Sequence, residues 1–123
     1  MGYHLFIRGN HSLPMGDWEV ALVRYFLLQG ANRLGDHALA AAVGGWEYQG
    51  PGVWSGVDEG ILLDCEQVFS ASIESIIRSG EYLSVDYLNE NVKLPGGIWT
   101  KEQPTSSLVA TIRRLEQFLH RRT

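Results

Sequence analysis

The stretch from Asp17 to Gly30 constrains the fold more than any other. Val20, Ala21, Leu22, Val23, Tyr25, Phe26, Leu27 and Leu28 leave Arg24 as its main polar interruption. This pattern predicts a helix over about 18–29, capped by Asp17 and closed by Gly30 at C′. Trp18, Ala21, Leu22, Tyr25 and Phe26 fall on one face, but the remaining faces are apolar too. A helix apolar nearly all round must be covered on more than one side. It is therefore expected at the centre of the core, with the rest of the chain built around it. The 123 residues suffice for one domain over 1–123, since a chain of this size buries about two-thirds of its unfolded surface.

The surrounding elements are shorter. Tyr3–Ile7 reads as a strand, and Arg8–Gly16, with glycine, asparagine and proline, as a loop. Asp36 caps a helix through His37–Val43 that Gly44 and Gly45 end. Trp46–Gly60 is rich in glycine, and predicts a long loop with a strand or hairpin near Trp46-Glu47-Tyr48. Ile61-Leu62-Leu63 fits a short strand or a helix entry, and Asp64 with Gln67 fits a capping box. Val68, Phe69, Ser72, Ile73, Ile76 and Ile77 repeat at helical spacing until Gly80. Tyr82–Val92 is open between a strand at Tyr82–Val85 and a short helix capped by Ser84. Leu94–Gly97 is a turn, with brief pairing at Ile98-Trp99. Pro104 suits the first turn of a last helix over about 105–121. Leu108, Ile112, Leu115, Phe118 and Leu119 form its apolar stripe. About four helices and a small sheet of short strands make an α+β fold.

Charge narrows the function. The chain carries a net −4, a poor balance for nucleic acid, whose phosphates need a basic face. No apolar run approaches the roughly 18 residues of a membrane span. The first residues lack a basic n-region and a long apolar h-region, so a cytoplasmic protein is expected. The single cysteine provides no intrachain disulfide. Acidity is concentrated in residues 46–103, where ten acids face Arg78, Lys93 and Lys101. An acidic surface of this kind attracts a basic partner.

Sites for covalent or metal chemistry are harder to find. His4, His11, His37 and His120 have no metal-ligand spacing. Cys65 lacks a second cysteine for zinc and reads as a small buried hydrophobe. Ser55 follows Trp54, with Val53 where a nucleophile elbow places glycine. The Gly50–Gly56 segment lacks the lysine ending of a phosphate loop. No cofactor and no metal are expected. His37 and the adjacent Asp58 and Glu59 are the candidates for a small enzyme, the least favoured reading.

Binding suits the residues better. Trp46, Tyr48 and Trp54 crowd the glycine-rich segment, and Asp58, Glu59, Asp64 and Glu66 follow it. Aromatic anchors beside charge make strong interface residues. Trp99, after Gly96-Gly97-Ile98, is a second anchor of the same kind. In overall type the chain resembles the immunity proteins of bacterial toxin systems. The nearest thing to a shared pattern is Leu94-Pro95-Gly96-Gly97-Ile98-Trp99-Thr100, which leads through Glu102-Gln103-Pro104-Thr105 into the last helix. The resemblance implies a small acidic cytoplasmic protein that neutralises a cognate toxin by binding it, without catalysis. An adaptor or a structural homodimer, in which the aromatics meet a second copy, is the alternative.

Overall fold

The computed structural model describes residues 3–8, 11–57 and 66–119, with side chains described at residue 13 and from residue 15 onward. The chain is α+β, with five helices and three two-stranded antiparallel pairings among the described residues. Tyr3–Arg8 (β1) pairs with His11–Met15 (β2), so the expected strand is present but part of the expected loop is its partner. Both strands of a two-stranded ribbon are edges, and an edge tolerates the proline that argued for a loop.

The central helix, α1, runs over Asp17–Leu34 and packs against three other helices. It is longer than expected at both ends. Gly16, not Asp17, is the N-terminal cap, and its N–H donates to Glu19 Oε1 at 3.2 Å. Gly30 does not end the helix. It lies buried inside it, where a Cβ would stand 2.4 Å from Ser72 Oγ and 2.8 Å from the Val68 carbonyl. The stop is Gly35, which takes the left-handed conformation (φ 71) open to glycine. Trp18, assigned above to the apolar face, is 45% exposed.

His37–Gly44 (α2) starts as expected, with Asp36 Oδ1 accepting from Leu39 N–H. The glycine-rich stretch folds into a hairpin of Glu47–Gly50 (β3) and Val53–Ser55 (β4). Gly52 at φ 74 makes its turn. Glu66–Arg78 (α3) covers α1, burying Val68, Phe69, Ser72, Ile73 and Ile76. Ile77, expected on that face, is 60% exposed. The expected elements at Ile61–Leu63 and the capping box at Asp64 lie outside the described residues, as do Cys65 and His120.

Both alternatives for Tyr82–Val92 are realised in sequence. Tyr82–Leu83 (β5) pairs with Gln103–Pro104 (β6), and Ser84 then caps a short helix, Val85–Asn91 (α4). Ile98-Trp99 forms no strand. Pro104 sits in β6 rather than in a first helical turn. Thr105–Leu119 (α5) follows, and its expected apolar stripe is buried. Thr105 Oγ1 donates to the Gly80 carbonyl at 2.7 Å, which ties the start of α5 to the end of α3.

Candidate functional site

A pocket of about 490 Å³ opens where α1, the β3–β4 hairpin and the turn after α4 meet. Each wall has a distinct local cause. Ala21, Arg24 and Tyr25 come from one face of α1. Trp46, at the junction of α2 and β3, is 3% exposed and belongs to the core as well as to the pocket. Tyr48 and Trp54 stand opposite each other in the hairpin, so their rings meet edge to face with centroids 5.6 Å apart. Asn91, Val92, Lys93, Pro95 and Gly96 form the far rim.

Asp17 fixes the hairpin to α1. Its carboxylate accepts from Gly52 N–H at 3.1 and 3.2 Å and from Trp54 Nε1–H at 2.9 Å. The residue expected to cap α1 therefore positions the pocket wall instead. Gly56 (φ 79) brings the strand end close to α2, since a Cβ there would meet the Gly45 carbonyl at 2.5 Å.

Arg24, the polar interruption of α1, donates from Nη2 to the Gly44 carbonyl at 2.7 Å. This sets a cation at the negative end of α2. Tyr25 shares a 3.0 Å hydrogen bond with the Tyr87 hydroxyl. Its phenol is pushed up from 10.0 to about 12, by burial first and then by the bond to Tyr87 and the charge there. Within the lining, Arg24 and Lys93 outnumber Glu47. Among the described residues the lining thus holds four aromatic rings, and two cations against one anion.

Trp99 is 4% exposed and is built into the core. Its indole N–H donates to the Val92 carbonyl at 2.7 Å, and its own N–H and carbonyl both bond the Asn89 side chain. It holds the rim turn in place. Glu66 is exposed at the start of α3, outside the pocket lining, and His37 is exposed at the start of α2. Asp58, Glu59 and Asp64 lie outside the described residues. The structure thus joins Trp46, Tyr48 and Trp54 in one site and leaves Trp99 and Glu66 out of it.

Arg24, Tyr25, Asp17 and Lys93 were not singled out as site residues from the sequence. A lone arginine in an otherwise apolar helix is the one local signal that pointed there. Among the described residues, no group of three or more His, Cys, Asp and Glu is placed to hold a metal ion. No described helix is long and apolar enough to cross a membrane. Comparison with protein-family models, curated proteins and solved structures finds no match to this chain.

Proposed function

We propose that the protein is a binding protein of the immunity type, which neutralises a cognate bacterial toxin in the cytoplasm by direct contact and without catalysis. The observation that carries this reading is the β3–β4 hairpin. Val53 near its tip is 56% exposed, and the half-buried rings of Tyr48 and Trp54 line the pocket. Half-buried aromatics on a pinned hairpin lose little entropy when a partner covers them, and such residues dominate interface energies. Exposed Glu47 lies on the same hairpin, and Asp58 and Glu59 follow it in the chain. Together they suit a partner with a basic surface.

Co-expression tests the reading. The protein should restore growth to cells poisoned by the toxin encoded beside it. A Tyr48→Ala, Val53→Asp variant should fold and fail to protect. If the neighbouring product harms cells equally with and without this protein, the reading is wrong.

A further inference from the structure

We propose that the pocket is also a binding site for a small carboxylate carried on a flat aromatic body. This ligand is separate from the protein partner proposed above, and the inference does not rest on that partner. The cavity, at about 490 Å³, has the size of a small-molecule site. Its rings come from Tyr25, Trp46, Tyr48 and Trp54, which offer flat walls for a flat ligand.

The charge selects the ligand's sign. The whole chain is acidic, at −4, yet among the described lining residues Arg24 and Lys93 stand against Glu47, and the nearby Asp17 carboxylate is taken up by Gly52 N–H and Trp54 Nε1–H. Arg24 is held by the Gly44 carbonyl, so its guanidinium is fixed rather than free in solvent. Among the described residues it makes no other hydrogen bond, and its Nε is buried without a partner. Guanidinium carries five donors and pairs best with a carboxylate. Tyr25 keeps its proton up to about pH 12, so the wall gains no second negative charge in the working range. An aromatic cage can also take a cationic ligand, but the excess of Arg24 and Lys93 opposes one.

The probe is 1-naphthaleneacetate, compared with its neutral amide and with 1-naphthylmethylamine. The readout is the set of indole N–H resonances of the isotope-labelled protein. The acid should shift Trp46 and Trp54 and leave Trp18 and Trp99 in place, with a Kd on the order of 1 mM for a ligand of this size. The amide should bind about tenfold more weakly, and the amine should not bind. Arg24→Gln should erase the preference for acid over amide. Lys93→Gln, at an exposed position, should weaken the acid about two- to fivefold. Unmoved indole signals, equal binding of the three probes, or an acid preference that survives both variants would overturn the assignment.

Discussion

At the scale of single residues, Asp17 has the largest local effect on the candidate site. One carboxylate accepts from a turn amide and an indole N–H that belong to an element 35 residues away. Removing it leaves those donors facing a half-buried space, where an unmet donor costs about 1–3 kcal/mol. Asp17→Ala is therefore expected to lower stability by about that amount in thermal or denaturant unfolding, and to move the Trp54 indole resonance. Asp17→Asn should recover part of the loss, because its side-chain oxygen still accepts. Tyr25 makes a second residue-level prediction. Its folded pKa, about 12, lies above the ordinary 10.0. Between those values the unfolded chain has released the proton while the folded chain retains it, so stability falls as pH rises. Below pH 10 this residue contributes no slope. Unfolding midpoints measured from pH 9 to 12 should drop less steeply in Tyr25→Phe than in the parent.

At the scale of elements, the helices were legible because their signals are local. Apolar spacing, Asp36 and Ser84 as caps and Gly80 as a stop all act within a turn or two. Gly30 shows where local reading ends. As a glycine after an apolar run it has the marks of a helix terminus, but its purpose lies 42 residues away, at Ser72. The two helices approach closely enough that no side chain fits between them. Gly30→Ala should force α1 and α3 apart and cost about 1–3 kcal/mol, as overpacking does, despite alanine's better helix propensity. Gly35→Ala, at a left-handed position with open space around it, should cost only about 1 kcal/mol of backbone strain. Denaturant midpoints of the two variants, compared at equal m-value, check the order. The second strand of the first hairpin escaped sequence reading because His11–Met15 is short, contains proline and follows the Gly9-Asn10 turn signal. Trp46 and Trp99 illustrate a different limit, since tryptophan content says nothing about which indole faces water. Trp46, Tyr48 and Trp54 were legible as a cluster in a glycine-rich segment, whereas Arg24 and Lys93 join them only through the tertiary fold.

At the scale of the molecule, charge and shape are arranged in two layers. Acids predominate in residues 46–103 as a whole, while the pocket that this region forms together with α1 carries Arg24 and Lys93. Long-range attraction and close recognition therefore have different signs. The acidic surface should govern how fast a basic partner arrives, and the hairpin how long it stays. Asp58→Lys with Glu59→Lys should slow association and flatten its dependence on salt. Tyr48→Ala should act mainly on dissociation. Stopped-flow or surface-based kinetics with the purified partner separate the two effects.

The most direct test of the central claim is affinity capture of the tagged protein from the cells that make it, at low and at high salt. The parent is compared with the Tyr48→Ala, Asp58→Lys, Glu59→Lys variant, and captured chains are identified by mass spectrometry. The account predicts one stoichiometric basic protein, held more weakly at high salt and lost from the variant. Recovery of the protein alone or with a second copy of itself, or of the same partner equally by both forms, would contradict it.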